Sequence, residues 1–129
     1  MSTDTTASVS THILDTSIGR PAEGVTITLA ARSGSGAEWV TLGGSATDAD
    51  GRCKDLPALP EETTHVRLDF ETETYFAKKQ AEAQQDAPRV RDSGAFFPEV
   101  AITFAVKPGE HYHVPLLLNP FGYSVYRGS

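Results

Sequence analysis

His111-Tyr-His-Val-Pro-Leu-Leu-Leu-Asn119, continued by Pro120-Phe-Gly-Tyr-Ser-Val125, is the stretch on which the fold turns. Before the Asn119-Pro120 break it alternates strictly. His111, His113, Pro115 and Leu117 fall on one face, and Tyr112, Val114, Leu116 and Leu118 on the other. That period of two is the mark of a strand buried on one side, and here the opposite side carries imidazoles. A second strand follows the break. The chain then closes on Tyr126-Arg127-Gly128-Ser129, an aromatic, a cation, a hinge and a carboxylate, a composition for which a frayed tail has no need.

The same alternation spreads outward. Ser10 to Asp15 reads as a strand with Thr11, Ile13 and Asp15 on one side and His12 and Leu14 on the other. Gly19-Arg-Pro-Ala22 turns the chain into Val25 to Arg32, where β-branched and polar residues alternate without helical spacing. Glu38 to Leu42 returns towards Thr47, and Asp48-Ala-Asp-Gly51 forms a tight turn, because Asp-Gly favours the positive dihedrals such turns demand. Arg52 to Leu56 leaves that turn as a short strand, and Pro57 ends it. His65 to Glu71 buries Val66, Leu68 and Phe70. Residues 74–85, rich in helix formers and free of glycine and proline, form the single helix. Residues 86–94 then make a loop, and Phe97 to Val106 a further strand. About eight short strands with glycine and proline turns and one helix predict a mainly β, antiparallel β-sandwich.

Composition narrows the function. A chain of 129 residues makes one domain, read here as residues 10–129 behind a flexible segment over residues 1–9. Residues 1–9 hold neither a basic leader nor an apolar segment, and the longest apolar run is far shorter than the roughly 20 residues of a membrane helix. The expected location is therefore cytoplasmic, with no membrane partner. A net charge of -6 argues against a nucleic-acid surface, so any anion site must be local. One cysteine, Cys53, can make no internal disulfide and no cysteine-based zinc site. Alternation turns it towards the core, opposite Arg52.

Three motifs occur in order: His12-Ile-Leu-Asp15 with Gly19-Arg-Pro-Ala22, Thr47-Asp-Ala-Asp-Gly-Arg52, and the terminal Tyr126-Arg-Gly-Ser129. Together with Phe96-Phe-Pro-Glu-Val100 they frame nearly the whole chain, and in this the sequence resembles the 5-hydroxyisourate hydrolases, the transthyretin-related enzymes of urate breakdown. The resemblance implies a transthyretin-like sandwich of two four-stranded sheets with one short helix, assembled as a homotetramer that is a dimer of dimers. It implies a purine-derived substrate, 5-hydroxyisourate, opened by water to 2-oxo-4-hydroxy-4-carboxy-5-ureidoimidazoline without cofactor or metal. Asn119 and Val125 stand where serine and threonine are common in the family, and neither is a site position.

On local sequence, His12 reads as a surface histidine and Arg52 as a solvated hairpin arginine. His111-x-His113 reads either as a metal pair or, more commonly, as two ordinary histidines. The family motifs change each reading. They imply that His12, Arg52, His113 and Ser129 are catalytic, and that Tyr126, Arg127 and Gly128 also contact substrate, with Arg127 alternatively tying down the tail. His111 is expected at the strand's edge and His65 in a structural role. The chemistry suits these types: amide hydrolysis needs a base that titrates near neutrality and a permanent cation for developing oxygen charge. Either histidine can be the base on this reading. Two competing readings are a transthyretin-like carrier, a class that lacks these histidines, the arginine and the terminal tetrapeptide, and a carbohydrate-binding or adhesion sandwich.

Overall fold

The computed structural model describes residues 6–83 and 95–128. The expected loop over 86–94, the last two residues of the expected helix, and Ser129 lie outside the described residues. In chain order the elements are β1 (Ser8–Asp15), β2 (Arg20–Pro21), β3 (Thr26–Arg32), β4 (Val40–Ala46), β5 (Arg52–Cys53), β6 (His65–Phe70), α1 (Thr72–Ala83), β7 (Val100–Ala105), β8 (His111–Asn119) and β9 (Gly122–Val125).

Two sheets face each other. One runs β4-β3-β6-β7 and is antiparallel throughout. The other runs β2-β1-β8-β9, with β5 also paired to β1. Because β8 occupies one edge of β1 along its whole length, the short β2 and β5 share the other edge end to end. Each sheet is thus four ribbons wide, as expected. Between them lie Ile13, Ile27, Leu29, Val66, Leu68, Phe70, Leu116 and Leu118, all close to fully buried. These are the alternate positions that the period-two pattern turned inward. Cys53 joins them and is buried.

One pairing departs from the antiparallel expectation: β1 and β8 run parallel, from Ser8 opposite His111 to Asp15 opposite Leu118. Strands so far apart in the chain are joined through the whole second sheet, so no tight turn dictates their direction. Their inward faces set the register instead. Tyr112, Val114, Leu116 and Leu118 match Val9, Thr11, Ile13 and Asp15 across the pair. The buried Thr11 hydroxyl is satisfied by donating to the Val114 carbonyl at 2.6 Å.

Several boundaries move, each for a visible reason. β1 begins at Ser8 rather than Ser10, because Val9 is buried and the Ser8 amide donates to the Glu110 carbonyl. β5 stops at Cys53 rather than Leu56. Asp55 there accepts from the Ser45 hydroxyl on β4, and Pro57 lies where any side chain on Gly43 would be. The segment is thereby drawn off β1 and across to the other sheet. β7 begins at Val100 because the preceding carbonyls serve α1: the Thr72 hydroxyl donates to Phe97 and the Glu73 amide to Pro98. α1 itself starts at Thr72, two residues before its expected start.

Candidate active site

The site is built by register. On the outer face of the β1 sheet, β5 sets Arg52 opposite His12. Parallel β8 sets His113 opposite Ser10 and Pro115 opposite His12. Side chains two apart share a face, so Arg52, Ser10, His12, His111 and His113 all emerge on the same side. A cleft of about 450 Å³ is lined by Ser10, Thr11, Arg52, Lys54, His111 and His113. In a chain of net charge -6 it concentrates two permanent cations beside two imidazoles, a local anion site.

Arg52 owes its place to the turn before it. The Asp48 carboxylate accepts from the amides of Asp50 at 2.9 Å and Arg52 at 3.0 Å, and the Gly51 amide returns to the Asp48 carbonyl. Those amide bonds, led by that from Arg52, hold the Asp48 carboxyl below its ordinary range. Gly51 has a positive φ of 74° and lies so close to the Ile13 carbonyl that a side chain cannot be accommodated. Its carbonyl takes the Ile13 amide at 2.7 Å, which seats the turn on β1. Thr47, buried ahead of the turn, donates to Ala22 and accepts from the Val25 amide. Most of the Thr-Asp-Ala-Asp-Gly-Arg motif is therefore scaffolding for one guanidinium.

The histidines are held differently. His12 contacts the Asp50 carbonyl through Nε2 at 2.9 Å, and since a carbonyl only accepts, that nitrogen carries the proton. His113 is half-buried, with Nδ1 at 2.9 Å from the Ser10 hydroxyl. Burial first, then the charges of Arg52, His12 and His111, push its pKa below the ordinary histidine value of 6.5. The neutral form is thereby favoured at pH 7.

The tail continues β9 along the edge of β8. Gly128 forms an isolated bridge with His113, its amide donating to the His113 carbonyl at 2.7 Å. Tyr126 and Arg127 do not enter the cleft of their own chain. They line a second, apolar cleft of about 250 Å³ with Ile102, Phe104, Val114 and Val125. Arg127 pairs with Glu110 at 3.2 Å and stacks over Tyr112 at 4.5 Å, so it does tie down the tail. The structure brings His12, Arg52, His113 and Gly128 together and leaves Tyr126 and Arg127 facing elsewhere.

Ser10, Thr11 and Lys54 line the cleft with no role in the sequence reading, and His111 lines it with none beyond its edge position and the metal-pair alternative. Lys54 was legible in principle, since it follows Arg52 at the strand period. Ser10 was not, because its meaning lies in a partner 103 residues away. Among the described residues no three histidine, cysteine, aspartate or glutamate side chains group to hold a metal. None of the described helices is long and apolar enough to cross a membrane.

Comparison with known proteins agrees with this architecture. Residues 9–128 match the model of the HIUase/Transthyretin family. A 5-hydroxyisourate hydrolase of Salmonella dublin is 41% identical over 123 residues, covering 94% of this chain and 80% of that one. The solved 5-hydroxyisourate hydrolase of Klebsiella pneumoniae superposes with a TM-score of 0.70 at 36% identity, covering 94% of this chain and 98% of that one. Transthyretin from Sparus aurata superposes equally well, TM-score 0.70 over 93% of this chain and 95% of that one, but at 23% identity it shares the fold alone. The chain belongs to the HIUase/Transthyretin family.

Proposed function

We propose that this protein hydrolyses 5-hydroxyisourate in urate degradation, opening the six-membered ring at an amide. The observation that carries the reading is the register that sets Arg52 beside His12 and His113 next door, in a family whose hydrolase members are similar along almost the whole chain. His113, neutral at pH 7, takes a proton from water as the oxygen bonds to the ring carbonyl. Arg52, which cannot lose its charge, binds the substrate and stabilises the oxyanion. The carbon–nitrogen bond then breaks, and the departing nitrogen receives the proton that His113 took from water. With Nε2 protonated against Asp50, His12 is oriented by the same turn that positions Arg52. Ser129, the last residue of the Tyr-Arg-Gly-Ser motif, is assigned to catalysis and substrate contact on the family resemblance. No covalent intermediate is needed.

The homotetramer belongs to the same proposal. Phe121, Phe96, Tyr126 and Ile18 are 78%, 70%, 56% and 52% exposed, and among the described residues β7 and β9 each form one edge of their sheets. Tyr126, turned from its own cleft, would meet substrate only across a subunit boundary. A cytoplasmic location fits the lone buried thiol.

The test follows the ultraviolet decay of freshly generated 5-hydroxyisourate with and without the protein, alongside Arg52→Ala and a chain lacking Ser129. Accelerated decay that both changes abolish, with the fold intact by circular dichroism, is the expected result. Decay no faster than the spontaneous reaction defeats the assignment and leaves a ligand-binding sandwich. Full activity in a monomer by light scattering defeats the tetramer.

A further inference from the structure

Three hydrogen bonds run in line along the seam between β1 and β8. The Ser8 hydroxyl lies 2.6 Å from His111 Nδ1, the Ser10 hydroxyl 2.9 Å from His111 Nε2, and the same Ser10 oxygen 2.9 Å from His113 Nδ1. The parallel register makes this possible, because it sets Ser8 opposite His111 and Ser10 opposite His113 on one face. One end of the row, at Ser8 and His111, is exposed; the other, at His113, is half-buried beside Arg52.

A hydroxyl has one proton and two lone pairs, so Ser10 can donate to only one of the two imidazole nitrogens beside it, and when it does so it can accept from the other. The row therefore has two polarities. In one, His113 Nδ1 donates to Ser10, Ser10 to His111 Nε2, and His111 Nδ1 to Ser8, which leaves His113 Nε2 unprotonated and able to act as a base. In the other, every donor and acceptor is exchanged and His113 Nε2 carries the proton.

We propose that Ser10 and His111 are positioning residues of a proton relay that fixes the tautomer of His113 and connects it to solvent at Ser8. The inference rests on His113 being the base of the hydrolysis proposed above. As His113 Nε2 takes a proton from water, its Nδ1 proton passes to Ser10. The Ser10 proton moves to His111 Nε2, the His111 Nδ1 proton to Ser8, and the Ser8 proton to bulk water. His113 Nε2–H then protonates the departing ring nitrogen, and a bulk proton entering at Ser8 restores the first polarity. Protons balance over the cycle. His113 serves as base and then acid while staying neutral, which matters beside Arg52, where an imidazolium is disfavoured.

The experiment measures single-turnover rates of the full-length protein in mixtures of H2O and D2O, for the parent chain, Ser10→Ala and Ser10→Thr. The parent is expected to give a bowed dependence on deuterium fraction, since several protons move together. Ser10→Ala is expected to lower kcat by roughly three- to tenfold, the rate equivalent of one hydrogen bond, with KM little changed and a linear dependence. Ser10→Thr, which keeps the hydroxyl on a β-favouring residue, is expected to restore both. A linear dependence in the parent overturns the relay without any variant having to fold. So does a Ser10→Ala protein indistinguishable from the parent, or a Ser10→Thr protein as impaired as Ser10→Ala. A parent that does not accelerate decay at all overturns the hydrolase assignment as well, so the two failures are told apart.

Discussion

The amide of Gly128 meets the carbonyl of His113 at 2.7 Å, and a side chain added at Gly128 would stand 2.9 Å from the His113 ring and 3.3 Å from Pro115. Gly128 is absent from the positive-φ glycines, so its requirement is for space, not for backbone freedom. Gly128→Ala is expected to lift the tail and shift the His113 ring. Displacements of this order cost catalysis roughly ten- to a hundredfold, so kcat/KM should fall by that amount. The bridge at Gly128 is isolated and the Arg127 contacts to Glu110 and Tyr112 do not depend on it, so the thermal midpoint should hardly move. Steady-state kinetics beside a melting curve separates the two, and unchanged kinetics would remove the tail from the site.

Asp48 acts on the same cleft from the other side. Its carboxylate accepts the Arg52 amide at 3.0 Å, and an asparagine can supply the same acceptor where alanine cannot. Asp48→Ala should raise KM by loosening Arg52, and Asp48→Asn should stay near the parent. Equal damage from both changes would mean that the charge, not the turn, is what Arg52 needs.

Much of this was legible along the chain. The alternation in residues 111–118 predicted the burial of Tyr112, Val114, Leu116 and Leu118 but not that of Pro115 on the imidazole face, and Val66, Leu68 and Phe70 turn inward as their spacing required. Cys53 is buried on the same logic. Local pattern carries no information about which distant strand is a neighbour, so the parallel pairing of β1 with β8 was invisible. The role of Ser10 disappeared with it, because a serine in a strand is unremarkable until His113 is set beside it. Motif resemblance brought His12, Arg52 and His113 to one site but could not say that Tyr126 and Arg127 face a different cleft of their own chain. That separation is a matter of how the tail runs along the edge of β8 beyond β9, and β-period reading stops where the strand does.

The pH dependence follows from the environment of His113. Burial, then Arg52, His12 and His111, lower its pKa, so the neutral base persists to more acid pH than an ordinary histidine allows. The acid limb of kcat/KM should therefore have its midpoint below 6.5. Arg52→Ala removes one cation and should move that limb upward in whatever activity remains. Stability responds in the same sense. The unfolded chain takes up this proton at the ordinary histidine value and the folded chain only below it, so this contribution to stability falls as pH drops through that window. A limb at or above the ordinary value would exclude His113 as the titrating base.

Tyr75 on α1 donates its phenol to Asp15 at 2.7 Å, inside the protein, where Ser17 also supplies its amide and hydroxyl to the same carboxylate. Asp15 thus completes the His-Ile-Leu-Asp motif as a brace, fastening the end of β1 to the helix. Tyr75→Phe keeps the ring packing against Phe76 and removes one donor from a buried carboxylate, which should cost about 1–3 kcal/mol in denaturant unfolding. Burial, followed by the bond to Asp15, also raises the Tyr75 pKa well above the ordinary value of 10.0. The unfolded chain loses this proton near the ordinary value and the folded chain does not, so stability should decline as pH rises above it. In an ultraviolet titration of the folded protein, one of the four tyrosines should resist ionisation until the chain unfolds, and Tyr75→Phe should abolish that delayed step. Simultaneous titration of all four would show that the helix is not braced to β1 through this pair.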